Sequence, residues 1–380
     1  MNERSPVSPA SSVAALPLAS DASVTRPTHA FPRILSLDGL RAISIVLVLV
    51  GHARHGLPAL APGWPSRLGA VIGNQSLGVS IFFVLSGFLI TTLLLREESE
   101  RGQISLSGFY LRRAFRILPA FYTYVLAIWI LNRMFEFGIP ARHFLSAITF
   151  TWNYVPDTEG WWLGHTWSLC VEEQFYLLWP LILRTAGRKR ATWVAATLVM
   201  ILPLVRMATY AALPEWRGRI PIMLHTRIDI LMFGCLLALL PWDGRVMTSL
   251  KKLVAQRGVQ VAFLGYLFVA SPLLIEQFHG KFLLPVGLTL EGICIALLLL
   301  WTVHMPETAL GRFLNLKWVA RIGVLSYSLY LWQQAFTAPL PNVMSRLLPF
   351  NLIAAYLVAE CSYRLVEQPL LRLRKKLVGA

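Results

Sequence analysis

The chain has 380 residues, 56% of them hydrophobic and 14% charged, with a mean hydropathy of +0.58 and a formal net charge of +16. This composition excludes an ordinary soluble globule and predicts a polytopic membrane protein. Lys and Arg fall between apolar runs and form no single basic face, so the charge reads as a positive-inside bias and nucleic acid is excluded as a partner.

In chain order, the first 32 residues are rich in Ser, Ala and Pro, and Pro6, Pro9, Pro17 and Pro27 interrupt any apolar core of signal-peptide type. They read as a disordered cytoplasmic tail. Apolar runs of about 20 residues, the length that crosses a bilayer, follow at roughly 35–54, 74–95, 116–135, 165–183, 191–212, 224–241, 258–275, 283–303, 319–338 and 347–366. A shorter run, 143–154, would invert every later loop if it crossed, and would spoil the concentration of Arg and Lys on one side. The expectation is therefore an all-α, polytopic integral membrane bundle of about ten transmembrane helices, with 143–154 as a short outer re-entrant segment. It spans 33–370 as one domain, with a basic cytoplasmic tail at 371–380. Both termini are placed in the cytoplasm and the protein in the plasma (inner) membrane. Cys170, Cys235, Cys294 and Cys361 sit in or beside apolar runs without a CxxC pair, so neither a disulfide framework nor a metal site is expected.

Ionisable residues inside apolar spans mark function by default. The first span carries Asp38, Arg41 and His52; eleven residues bring Arg41 and His52 to nearly one helix face, about 16 Å apart along the axis. An imidazole titrates near neutrality and can serve as a general base, while Asp38 and Arg41 fit an electrostatic or supporting role. The second span sets small residues among large ones at Gly78–Phe88, which suits close helix packing. Ser86 has no local Ser-His spacing to activate it. Arg113 and Arg116, at i and i+3, face the same way at the mouth of the third span and could anchor lipid or hold phosphates in two guanidinium forks.

Further along, Asn153, Trp162, His165 and Trp167 lie in a segment crowded with aromatic rings. That pattern suits an interfacial belt, or an acceptor cleft in which rings stack on a sugar. Ser168, Glu172 and Tyr176 align at i, i+4 and i+8. Glu172 needs a partner inside the membrane, and Arg41 or His52 are the natural ones. Arg206, Arg227, Asp229 and Glu291 either line the same cavity or bridge helices, and Ser326–Gln333 reads mostly as packing with a polar end.

These motifs resemble the membrane-bound acyltransferase-3 family. The resemblance covers about residues 33–370 and rests on Leu-Asp-Gly-Leu-Arg followed by His52, Phe-Phe-Val-Leu-Ser-Gly-Phe at 82–88, the Arg113/Arg116 pair and Trp-Ser-Leu-x-Val-Glu-Glu-Gln-Phe-Tyr at 167–176. It implies an acyl-CoA co-substrate, most often acetyl-CoA, bound from the cytosol near Arg113 and Arg116. It implies His52 as catalytic base, with Arg41 and Glu172 supporting the site. It implies a carbohydrate acceptor, and no permanently bound cofactor is expected. The family pattern continues Tyr-Ser-Leu-Tyr-Leu-Trp with His, where this chain has Gln333. No esterase-like domain is expected at the C-terminus.

The expected reaction is transfer of an acyl group, most simply acetyl, to a hydroxyl of a carbohydrate or of a lipid-linked or exported glycan. His52 activates the hydroxyl, and Arg41 or a neighbouring donor stabilises the oxyanion. Membrane lipid and a polysaccharide assembly machinery are the further expected partners. A transporter or flippase of a lipid-linked sugar would use the same intramembrane charges as a path, though inverted repeats are not visible. A non-catalytic scaffold is the third reading.

Overall fold

The computed structural model describes residues 35–54, 63–155, 160–338 and 347–378; the predicted tail at 1–32 and the last two residues of the chain lie outside the described residues. Among the described residues every element is helical. Seven helical segments are long and apolar enough to cross a membrane: Ser36–Arg54, Pro65–Arg101, Leu106–Phe135, Trp161–Ala212, Pro214–Leu239, Arg257–Phe278 and Gly280–His304.

Helix α1 (Leu35–Arg54) has Asp38 in its first turn and His52 and Arg54 in its last, an arrangement that complements the helix dipole. After the short α2 (Trp64–Ile72), helix α3 (Gln75–Arg101) starts where the Asn74 side chain accepts from the Leu77 amide at 3.1 Å. It stops at Gly102, whose φ of 75° suits a residue without Cβ. Ser105 caps α4 (Leu106–Phe135) in the same way, accepting from the Gly108 amide at 3.2 Å. With that cap α4 begins well before its apolar run, so Arg112, Arg113 and Arg116 stand on helix and not in a loop.

The short run at 143–154 folds as α5 (Ala141–Ile148) and a single 3-10 turn at Trp152–Tyr154. Eight helical residues extend only about 12 Å, too little to cross a bilayer. One turn, α6 (Trp161–Gly164), leads into α7 (Thr166–Ala212), whose 47 residues are far more than a bilayer needs. The excess is resolved at Gly187, whose φ of 73° and ψ of 168° divide α7 into two arms, matching the predicted runs 165–183 and 191–212. Just past the bend, Arg188 donates to the Leu239 carbonyl from Nε at 3.1 Å and Nη2 at 2.7 Å, capping the last turn of α8 (Leu224–Leu239).

The chain continues through α9 (Arg245–Val254), α10 (Arg257–Gly265), α11 (Ser271–Phe278), α12 (Gly280–Phe282) and α13 (Leu288–His304). Then come α14 (Ala309–Leu314), α15 (Lys317–Phe336), α16 (Phe350–Ser362) and α17 (Gln368–Val378). Single π-turns at Tyr266–Ala270, Leu283–Gly287 and Tyr363–Glu367 join neighbouring helices. Helices α15 and α16 lie on the last two predicted runs but are not among the seven long apolar segments.

The core forms around α1, which packs against α3 and α15, while α3 also crosses α8. Leu40, Ile45, Val48, Ile81, Val84 and Ile230 are buried there. Small residues set the spacing: a Cβ on Gly87 of α3 would overlap the Leu231 carbonyl, and one on Gly234 of α8 would overlap the Val84 carbonyl. Backbones this close are how membrane helices gain packing energy where lipid offers no hydrophobic drive.

Candidate active site

A cavity of about 90 Å³ opens where α1, α3, α4, α7 and α15 converge. Periodicity explains its walls. Arg113 and Arg116, three apart on α4, both face it, as do Ser168, Glu172 and Tyr176, four apart on α7; Arg41 completes the charged wall from α1. Arg112, a hundred degrees round α4 from Arg113, turns away to Glu97 at 2.7 Å.

Within the cavity, Ser86 of α3 donates to Glu172 Oε1 at 2.5 Å, and the Tyr176 hydroxyl donates to Ser86 Oγ at 3.3 Å. Arg113 lies over the rings of Phe109 and Tyr176, 5.7 and 5.4 Å from their centroids. Arg41 is tied to Asp38 behind it at 3.4 Å. Three guanidinium groups thus line one cavity with a single carboxylate, Glu172, on its wall, while Asp38 pairs with Arg41 from behind. Positive charge in excess inside a bundle is stabilised by an anion, and guanidinium forks match phosphate geometry.

His52 is not a wall of this cavity; it stands at the other end of α1, where Trp161, Trp162 and Trp152 gather. Its Nδ1 lies 3.0 Å from Gln333 Oε1 of α15, and its ring meets the Trp161 ring edge-on at 5.5 Å. The two places are close. Gly51, beside His52, packs on Gln75 of α3, and Val79, which lines the cavity, is one turn or about 6 Å further along that helix. A second link runs through Tyr330 of α15, which lines the cavity, pairs with the Ser168 hydroxyl and donates to the His165 carbonyl at 2.7 Å. The cavity therefore extends from the arginines to Val79 and Tyr330, and Gly78 beside Val79 packs on Ser44 and Val48 of α1, one to two turns before His52.

The structure brings Arg41, Arg113, Arg116 and Glu172 together, with Asp38 behind them. Glu172 takes Ser86 as its partner where the sequence offered Arg41 or His52; Arg41 shares its cavity, and His52 is bound to Gln333. Four other predicted residues are committed elsewhere. Asn153 and Gln174 exchange amide hydrogen bonds at 3.1 and 3.0 Å. Trp162 stacks on Phe137 at 4.4 Å. The buried His165 ring packs between Tyr124 and Tyr330 at 5.3 and 5.4 Å. Trp167 lies edge-on to Phe83 with Arg227 over its face at 5.7 Å. Sequence reasoning passed over Ser86, Ser326, Tyr327 and Tyr330 as cavity walls. The serines and tyrosines of the segment 326–330 recur at helical spacing, a signal that was present but read as packing.

Comparison with known proteins decides the family. A family model for the acyltransferase domain, acyltransferase-3, matches residues 34–359. The chain belongs to the acyltransferase-3 family. It is 28% identical to the O-acetyltransferase OatA of Staphylococcus aureus (strain NCTC 8325 / PS 47) over 369 residues, covering 91% of this chain and 58% of that protein. It is 27% identical to the peptidoglycan O-acetyltransferase OatA of Listeria monocytogenes over 373 residues, covering 88% of this chain and 55% of that protein. The acyltransferase-3 chain thus spans a little over half the length of these relatives. No solved structure matches it.

Proposed function

We propose that this chain is a multi-pass O-acyltransferase of the plasma membrane that moves an acetyl group from acetyl-CoA to a hydroxyl of a carbohydrate or of a lipid-linked or exported glycan. One observation carries the reading: a cavity lined by Arg41, Arg113 and Arg116 that runs along α1 toward the His52 end of the helix. Phosphates of the donor sit at the arginine end, and its pantetheine arm lies along the cavity so that the thioester arrives beneath His52. His52 takes the acceptor's hydroxyl proton, the oxygen attacks the thioester carbonyl, and the C–S bond breaks. The thiolate takes the proton from the imidazolium and leaves as CoA. Arg41, about 16 Å along α1 from His52, acts with the donor and not on the oxyanion.

The two arms of α7, together with α15 and α16, bring the proposed number of crossings to about ten, each of bilayer length or near it. The arginine-rich end then faces the cytosol, where acyl-CoA is made, and both termini lie there. The acceptor comes from the opposite side. The Listeria monocytogenes relative, named as a peptidoglycan O-acetyltransferase, supports a cell-wall glycan as the acceptor class.

The test is acetyl transfer to a glycan fraction in vesicles carrying His52→Ala. The expected result is a loss of at least about a hundredfold, the usual scale for removing a general base, with acetyl-CoA binding retained. A wild-type rate in folded His52→Ala protein would overturn the assignment.

A further inference from the structure

We infer that Gln333 and Gln334 are positioning residues that fix the tautomer of His52, holding Nδ1 protonated and Nε2 as the basic nitrogen; the catalytic meaning of this rests on His52 being the base. The inference follows from one obligate acceptor. A backbone carbonyl can only accept, so the end of the Gln334 side chain that lies 2.6 Å from the Trp161 carbonyl is its NH2 group. Its Oε1 then faces Gln333, and the group that meets it at 3.3 Å must be the Gln333 NH2. That leaves Gln333 Oε1 turned to His52 Nδ1 at 3.0 Å, and an amide oxygen requires that Nδ1 carry the proton.

The chain of amides cannot easily reverse. Gln333 and Gln334 are both buried, and Trp161 Nε1 donates back to the Gln334 carbonyl at 2.8 Å, so residues 161 and 334 clamp each other through two hydrogen bonds. Thr337 Oγ1 donates to the Gln333 backbone carbonyl at 2.9 Å and holds that turn of α15 in place. A neutral imidazole in the opposite tautomer would set the Nδ1 lone pair against the amide oxygen and take away that buried oxygen's imidazole donor. Where the family's usual residue at 333 is itself an imidazole, able to donate or accept, this chain uses an amide whose direction is set by a fixed carbonyl. Among the described residues, the titratable group that acts on His52 from a packed element is His165, before α7, whose ring lies between Tyr124 and Tyr330 and takes no part in the relay.

Solid-state NMR of the full chain, ¹⁵N-labelled at histidine and embedded in bilayers, reads the tautomer directly, with His52 identified by its disappearance in His52→Gln. The expected result is a protonated Nδ1 and an unprotonated Nε2 on neutral His52. An Nε2–H tautomer overturns the inference. Gln334→Leu frees the Gln333 amide to rotate and should give both tautomers. Gln333→Leu should lower kcat by about ten- to a hundredfold, as loss of an imidazole's orienting partner does elsewhere, with KM for acetyl-CoA unchanged. Unchanged kcat in folded Gln333→Leu would also overturn it. The two failures separate: activity surviving His52→Ala removes the base and leaves the tautomer standing, whereas an Nε2–H ring in a protein that His52→Ala inactivates removes only the relay.

Discussion

Two groups of buried charge pack against α3, and they differ in what they border: one is closed in by protein, the other lines a cavity. Each nitrogen of the Arg206 guanidinium has a partner: Nε donates to the Leu284 carbonyl at 2.6 Å, Nη1 to the Thr226 carbonyl at 3.1 Å and to Asp229 at 2.7 Å, and Nη2 to Thr289 at 2.9 Å. Arg206 and Asp229 have no exposed side-chain surface. Arg227 beside them is held by the Ser80 hydroxyl at 2.9 Å and by the faces of Phe83 and Trp167. Around Arg41, Arg113 and Arg116 the guanidinium groups instead border open volume and outnumber the carboxylate with them. An ionisable residue within a membrane bundle suggests function by default. The closed cluster shows where that default gives way: it bridges α7, α8 and α13, while the other borders open volume.

The comparison breaks most visibly at Asp229. Asp229→Ala would leave Arg206 charged and sealed from water, at a cost of about 3–5 kcal/mol. The melting temperature in detergent should fall on the order of 10 °C or more, or the protein should fail to accumulate. Glu172→Gln removes a carboxylate from the open cavity, where positive charge is already in excess and water can enter. It should melt within a few degrees of wild type and lose activity. Equal destabilisation by the two substitutions would erase the distinction between a sealed and an open cluster.

Donor binding sharpens the same contrast at a somewhat smaller scale. Each hydrogen bond from a guanidinium to a phosphate contributes about 1.5–3 kcal/mol. Arg113→Ala/Arg116→Ala should therefore weaken acetyl-CoA binding by at least about a hundredfold without lowering the melting temperature. The weakening should shrink as salt is raised, because the contacts are electrostatic. Calorimetry of the wild type and the double variant measures both effects. A chain that only moved a lipid-linked sugar would bind no CoA in either form, so the same titration separates enzyme from flippase.

How far the sequence reaches is clear from particular residues. Local periodicity was legible: Arg113 with Arg116, and Ser168 with Glu172 and Tyr176, share faces in the sequence and share the cavity in the structure. The apolar runs were legible too, because burial in lipid demands them. The start of α4 was not, since a hydropathy window sees Leu106–Phe115 as polar while the Ser105 cap and the Glu97–Arg112 pair hold it as helix. The bend at Gly187 was not legible either, as helix continues through the basic residues on both sides of it. Contacts distant in sequence stayed hidden. Ser86 had no base within its own segment, and its carboxylate partner arrives on α7, 86 residues away. Gln333, noted as a departure from the family pattern, acquires a physical meaning only beside His52, 281 residues earlier.

The finest test uses two serines on one helix. Ser80 and Ser86 both lie on α3, and each donates to or accepts from a charged group, Arg227 for Ser80 and Glu172 for Ser86. Ser→Ala at either position removes one oxygen and its hydrogen bond to a charged group, and at Ser86 also the one accepted from Tyr176. At Ser80 no water can replace it, so Ser80→Ala should cost about 1.5–3 kcal/mol of stability with little effect on KM for acetyl-CoA. At Ser86 a cavity water can take over the contact to Glu172, so the cost should stay below about 1 kcal/mol. The activity should nevertheless fall severalfold, because Glu172 loses its fixed direction among the three arginines. If Ser86→Ala proves the more destabilising of the pair, the cavity is dry, and its guanidinium groups are then as structural as Arg206.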